Sequence, residues 1–196
     1  MKKITGTILA MSISFLTMAT NGEKKVYKVD QKVSSVEWLA KKVTGSHDGT
    51  ITIEKGEIEE TDGMITGGII HIDMNGIVVT DIKDKSTNAK LLGHLKSDDF
   101  FGVKDFPSAS LKINDSKQIE GNKHLIMGDL TIKGKTHPIE IPTTLLKEDG
   151  KLVAIGEATV DRTKYDIKYG SGQFFEGLGD RMIYDEFTVK FKVGAK

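Results

Sequence analysis

The side chains able to do chemistry are few and scattered. The five histidines are His47, His71, His94, His124 and His137. None forms a His-x-His or His-x-x-x-His pair, so no local zinc signature is present. Cysteine is absent, which removes disulfides, thiolate metal sites, Cys nucleophiles and a lipid-modified N-terminal Cys. No serine sits in a Gly-x-Ser-x-Gly elbow. Asp84, Asp98 and Asp99 lie in a connection with no nucleophile beside them, which reads as a solvated face rather than an acid/base pair. Gly67-Gly68 and Gly170-Ser171-Gly172 lack a following helix with a P-loop Lys, so they are not phosphate cradles. What remains of catalysis is a metal-dependent enzyme assembled from dispersed His and Asp ligands, and that is kept as an alternative.

Composition points away from other classes. The chain has 196 residues, 28 basic and 28 acidic. A balanced charge gives no footprint for nucleic-acid binding, and none is expected. Hydrophobic content of 38% supports one core, and 21 Gly against 3 Pro suits a chain of many turns. Met1-Lys2-Lys3 followed by an uncharged run from Ile4 to Ala19, with Thr17 and Ala19 at the −3 and −1 positions, has the pattern of a secretory signal peptide over 1–19. Its apolar run is short of the ~20 residues a membrane span needs. Removing Lys2 and Lys3 leaves 26 basic against 28 acidic residues, a net charge of −2. The expected destination is periplasmic or secreted, with residues 20–196 as one domain.

From Val26 onward the period is two. Val36, Trp38 and Ala40 share one parity; so do Ile51 and Ile53, Ile70, Ile72 and Met74, Leu111 and Ile113, and Ile183, Phe187, Val189, Phe191 and Val193. Alternation of this kind predicts antiparallel strands with one oily face. Turn residues separate the runs at Thr44-Gly45-Ser46, Asp62-Gly63, Gly121-Asn122, Lys133-Gly134 and Asp149-Gly150. Only Asn88 to Ser97 reads as helix, with Ser86 or Thr87 as cap. Phe100, Phe101 and Phe106 then read as a plug anchoring a long connection, and Phe174-Phe175 as a second anchored loop. The class is all-β, and about eight runs allow either a sandwich or a closed barrel. Ala154, Gly156, Ala158 and Gly128 mark places where a strand bends or an interior stays open.

Four ordered segments carry a family resemblance. They are Tyr27-Lys28-Val29-Asp30 with Ser34-Ser35-Val36-Glu37-Trp38; His94-Leu95-Lys96-Ser97-Asp98-Asp99-Phe100-Phe101 with Phe106-Pro107; Gly128-Asp129-Leu130-Thr131-Ile132-Lys133-Gly134 with Pro138; and Asp161-Arg162-Thr163-Lys164-Tyr165-Asp166-Ile167. Together they resemble the YceI-like, polyisoprenoid-binding, lipocalin-like family. Leu92-Gly93 stands where the family often has Arg-Asp, and Val33-Ser34 where it has His-Ser. The resemblance implies an extended, antiparallel, eight-stranded barrel with a short helix in a long connection. It also implies a long isoprenoid or related amphiphilic lipid as ligand, with no chemistry done on it and no other cofactor.

Strands of ~11 residues tilted by ~45° would make such a barrel roughly 25 Å tall, which suits a chain-like ligand. The expected ligand contacts are Trp38, Ile51, Ile53, Ile70, Ile72, Met74, Leu111, Ile113, Phe187 and Phe191 in the bore, with His94 near its mouth. Periodicity alone reads the bore residues as a filled core, that of an interaction module, and only the resemblance turns them into a lumen. Arg162 is expected in a strand, either meeting a lipid head group or forming a buried or rim ion pair that closes the barrel. The partner is a long-chain lipid, and the reading leaves room for transient membrane contact and a homodimer.

Overall fold

The computed structural model describes residues 22–196, so the segment read as a signal peptide lies outside the described residues. Nine strands build the wall: β1 (Lys24–Lys28), β2 (Ser35–Lys42), β3 (Gly45–Thr61), β4 (Met64–Val79), β5 (Ser108–Glu120), β6 (Lys123–Ile132), β7 (Lys135–Glu148), β8 (Lys151–Asp161) and β9 (Ile183–Ala195). One helix, α1 (Lys85–Lys96), lies between β4 and β5. All pairings are antiparallel. The order β3-β2-β9-β8-β7-β6-β5-β4 returns to β3 through the β3–β4 ladder, so the sheet closes on itself.

Nine strands make eight staves because β1 and β2 share one place. β2 pairs with the first part of β3, from Glu37↔Thr50 to Lys42↔Gly45. β1 pairs with its last part, from Lys24↔Thr61 to Lys28↔Glu57. A 3₁₀ turn at Gln31–Val33 joins them, with the Asp30 carboxylate accepting from the Lys32 N–H at 3.0 Å. Lys28 and Lys196 exchange backbone hydrogen bonds of 2.8 and 3.0 Å, which tie β1 to the end of β9. Closure gives the ladders a partner on both sides and leaves little free edge.

Hairpin chemistry sets the register. Asp62-Gly63, Lys133-Gly134 and Asp149-Gly150 each place two consecutive residues at positive φ, as a type I′ turn demands. A residue added or lost there would move every apolar side chain to the wrong face. β6 shows the outcome: His124, Ile126, Gly128, Leu130 and Ile132 are buried, and their neighbours are not.

The helix begins earlier than its periodicity suggests. It starts at Lys85, and the cap is Asp84, not Ser86 or Thr87. Asp84 Oδ1 accepts from the Thr87 N–H at 2.9 Å and from Thr87 Oγ1 at 2.7 Å. The Asn88 amide donates to the Val79 and Ile82 carbonyls at 2.9 and 3.0 Å, fixing the first turn to the end of β4. The polar first turn carries no apolar signal, so periodicity saw only Leu91, Leu92 and Leu95 behind it.

The barrel has unlike ends. Three tight hairpins, β3–β4, β5–β6 and β7–β8, close one of them, where Leu152 and Ile65 are almost fully buried. A polar group lies beside them. The Tyr27 hydroxyl donates to Glu60 at 2.9 Å, and Lys147 Nζ meets the other Glu60 oxygen at 3.1 Å. Burial pushes the Glu60 carboxyl up, but the Tyr27 and Lys147 hydrogen bonds outweigh it and hold it below its ordinary range. His124 is 6% exposed and its Nδ1 has no partner. Burial, then the Lys147 charge, push this imidazole below its ordinary value. The other end is covered by α1, by residues 97–107, and by the segment between β8 and β9.

Two stability outcomes follow. Asp84→Ala should cost about 1 kcal/mol in urea unfolding through loss of the cap, and an unchanged midpoint would remove Asp84 from that role. A depressed histidine stabilises fully above its unfolded value of 6.5 and loses that contribution as pH falls below it. Glu60, also depressed, adds a second loss below 4.5. His124→Gln should therefore flatten the stability–pH curve just below 6.5 and leave the lower limb intact. An unaltered upper limb would assign it to another group.

Candidate functional site

An elongated cavity of about 220 Å³ runs along the barrel, bounded by 36 residues. So little volume shared among so many side chains makes a narrow bore, not a compact chamber. Leu145 and Leu152 stand at the hairpin end; Phe101, Ile183 and Tyr184 stand at the helix end. On β9 the lining runs from Ile183 to Val193. That is roughly 33 Å of strand at ~3.3 Å per residue, or about 23 Å of height at a 45° tilt.

All ten bore residues read from the sequence line this cavity. Trp38 comes from β2, Ile51 and Ile53 from β3, Ile70, Ile72 and Met74 from β4, Leu111 and Ile113 from β5, and Phe187 and Phe191 from β9. Trp38, Ile51, Ile72, Leu111, Phe187 and Phe191 point inward yet are only half-buried, because they face the bore. Others escaped the sequence reading. Ile126, Leu145 and Val160 follow the same alternation and were legible in principle. Ile77 and Ile167 were not. Ile77 sits in a bulge where Thr50↔Val78 is followed by Thr52↔Asp73, and Ile167 lies beyond a strand end.

Residue size explains the open middle. Ala40, Ala109, Ala154 and Ala158 line the bore where larger chains would fill it. Gly156 goes further: a Cβ there would stand 2.7 Å from the Phe191 ring and 2.6 Å from the Pro142 carbonyl. Phe191, the cross-strand partner of Gly156, therefore leaves no room for a side chain there. Gly128, likewise, lies too close to the Lys112 carbonyl to carry a side chain.

The wall offers almost nothing polar. Of the lining residues only Trp38, Thr143, Arg162 and Tyr184 carry polar side-chain atoms, and the Trp38 indole N–H donates to the Val78 carbonyl at 3.2 Å. The Thr143 hydroxyl donates to the Ile141 carbonyl at 3.0 Å. Arg162 is 4% exposed, and its donors are committed to the carbonyls of Ile167 (2.8 Å), Tyr184 (3.1 Å) and Ile183 (3.1 Å) and to Asp185 (3.3 Å). Burial pulls its pKa below the ordinary value, against the Asp185 and Asp161 charges. Its position corrects the sequence expectation. β8 ends at Asp161, and Arg162 opens a 3₁₀ turn through Tyr165. Asp161 does not pair with it; that carboxylate caps the turn by accepting from the Thr163 N–H at 2.9 Å. The Tyr165 hydroxyl in the same turn is pushed up to about 12 by burial and by Asp161.

His94 is not a bore residue. It lies in the last turn of α1, its ring edge-on to Phe100 at 4.9 Å and to Tyr169 at 4.5 Å, with Nε2 3.4 Å from Asp99. It reaches the bore only through Phe100, which together with Phe101 lines the helix end. Phe106 packs outside, against the Gly134 turn. Phe174 and Phe175 are 46 and 50% exposed, so they do not anchor their loop. Fully buried Ser171 does: its carbonyl accepts from both of their N–H groups and its hydroxyl from the Gln173 N–H.

Arg162 thus positions the start of β9 rather than offering a free charge. Arg162→Leu leaves three carbonyls and Asp185 without donors, and should destabilise by about 2–4 kcal/mol. Amide exchange should speed up first at Ile167, Ile183 and Tyr184. Exchange at those amides unchanged from the parent would show that the guanidinium holds nothing in place.

Comparison with known proteins agrees with this architecture. The BcnA structure of Burkholderia cenocepacia has 22% identity and a TM-score of 0.68, covering 86% of this chain and 99% of that one. A polyisoprenoid binding domain from Saccharophagus degradans, implicated in plant cell wall breakdown, has 13% identity and a TM-score of 0.63, covering 87% and 97%. Among sequence relatives, the UPF0312 protein plu2095 of Photorhabdus laumondii is 29% identical over 101 residues, 52% of this chain and 46% of that protein. The UPF0312 protein SAB2563 of Staphylococcus aureus is 31% identical over 166 residues, 81% of this chain and 85% of that protein. The family model for the YceI-like domain matches residues 27–195, from the first residues of the wall to its last. An eight-stave closed barrel and a match along its whole length place the chain in the YceI-like domain family.

Proposed function

We propose that this protein is a non-catalytic carrier, periplasmic or secreted, that shelters the tail of a long-chain isoprenoid or related amphiphilic lipid in its bore. The observation that carries the reading is the wall: 32 of 36 lining residues have purely apolar side chains, and the polar atoms of Trp38, Thr143 and Arg162 are already bonded. Such a wall recognises a tail by length and girth. Apolar burial at about 25 cal/mol per Å² makes a few hundred Å² of tail worth several kcal/mol. A polar head finds no partner inside, so it stays at the mouth. The likeness to a polyisoprenoid binding domain supports an isoprenoid tail, and residues 1–19 support export.

The alternatives lack a comparable observation. Among the described residues no three His, Asp or Glu side chains stand together with metal-binding spacing. His47 pairs with Asp81 at 2.8 Å and His94 meets Asp99, in different parts of the surface. The filled-core module needs a barrel without an elongated cavity, and the residues lining this one reach from Leu152 at the hairpin end to Tyr184 at the helix end.

Native mass spectrometry of protein purified without denaturant should show a bound lipid, and the delipidated protein should take up a long-chain fluorescent fatty acid. Failure of both would end the carrier reading. Ile72 lines the bore midway along β4. Ile72→Glu, checked for its β spectrum, should weaken probe binding at least tenfold, since the carboxylate meets no partner there. Binding equal to the parent's would move the tail elsewhere.

A further inference from the structure

The bore needs a source of lipid, and one part of the surface is built unlike the rest. All four exposed Phe and Tyr side chains among the described residues, Tyr169, Phe174, Phe175 and Tyr184, fall within sixteen residues of chain. They gather at the helix end of the barrel. The Ile183 N–H donates to the Gly170 carbonyl at 2.8 Å, and the Val43 N–H to the Met182 carbonyl at 3.1 Å. The loop is thereby folded against the β2–β3 turn, where Val43 adds a fifth exposed apolar residue. This lip is continuous with the bore. Tyr184 belongs to both, and Tyr169 packs on Phe100, which lines the cavity. Single exposed apolar residues need no explanation, but a concentrated aromatic rim does.

Charge selects the partner. Residues 41–44 and 163–184 contain Lys41, Lys42, Lys164, Lys168 and Arg181 against Asp166, Glu176 and Asp180. Lys168 lies over the Phe174 ring, 5.1 Å from its centre, and pairs with Asp166 at 2.7 Å, while Lys41, Lys42, Lys164 and Arg181 have no carboxylate within ion-pair distance among the described residues. Aromatic rings with lysines beside them match the headgroup layer of a bilayer, where rings sit among glycerol and carbonyl groups and ammonium groups reach phosphates. Interior chemistry agrees, because a head group excluded from the bore must rest at this lip.

We infer that the lip formed by Val43, Tyr169, Phe174, Phe175 and Tyr184 docks on the surface of a lipid bilayer, with a preference for anionic lipid. This deepens the carrier reading and rests on it. Docking there lets a tail pass from membrane to bore without crossing water.

Flotation with vesicles tests it. The protein should float with phosphatidylcholine vesicles, and several-fold more with vesicles of equal parts phosphatidylcholine and phosphatidylglycerol. Phe174→Ser with Phe175→Ser, both solvent-exposed positions, should reduce flotation at least tenfold on either vesicle. That variant's affinity for a soluble fluorescent fatty acid should stay within twofold of the parent's. Lys168→Glu with Arg181→Glu should keep flotation on phosphatidylcholine and lose the gain from phosphatidylglycerol. Parent protein that floats with neither vesicle overturns the docking surface, as does a Phe variant that floats like the parent. So does a parent dimer that the Phe variant abolishes, since the lip would then cover a second copy. Flotation that depends on the two Phe residues in a parent that takes up no fatty acid keeps the docking surface and removes the carrier reading instead.

Discussion

Closing a sheet on itself with too little side-chain volume to fill it is the constraint on which this protein rests. Ring closure through the β3–β4 ladder satisfies the backbone, so the interior need not supply polar partners. The inward positions can then be uniformly apolar. Small side chains among them, Ala154 and Ala158 on a single strand, leave the space before them unfilled. Packed cores avoid such space because lining atoms lose contacts. A barrel that retains it along its length has traded packing for a place to receive an apolar chain.

The ends carry what the middle omits. At the hairpin end, Tyr27, Glu60 and Lys147 form a bonded polar group, and His124 is buried beside it without an Nδ1 partner. At the helix end, Arg162 replaces ladder hydrogen bonds where β8 has stopped and β9 has just begun. A buried guanidinium with four acceptors serves as a multi-pronged tie for irregular backbone, which would otherwise leave carbonyls unpaired. Irregular chain at this end is also what allows aromatic side chains to be presented outward.

Much of the barrel was legible in the residues. Alternation exposed the inward set, since a strand turns successive side chains to opposite faces whatever its neighbours are. Turn pairs such as Asp149-Gly150 exposed the register. The ambiguities were of another kind. Arg162 read as strand because Asp161-Arg162 continues the β8 pattern, whereas the chain turns at Arg162 into a 3₁₀ segment that ends in the left-handed Asp166. His94 read as a mouth residue, and it stands at that end packed on Tyr169 and on Phe100, of which Phe100 lines the bore. The Asp84 cap went unread because a carboxylate in a polar stretch looks like any solvated acid until the helix it starts is known.

The amino-acid sequence by itself determined the local terms: strand periodicity, hairpin chirality, the lack of thiols, the lack of any local metal motif, and a balanced charge. Those are set within a few residues by stereochemistry and side-chain type. Whether the oily faces met in a solid core or around a bore was decided only by tertiary structure. That choice depends on the number of staves, their tilt, and which alanine or glycine lies opposite which aromatic ring. Gly156 opposite Phe191 is such a pair, 35 residues apart in the chain and joined only when β8 and β9 align.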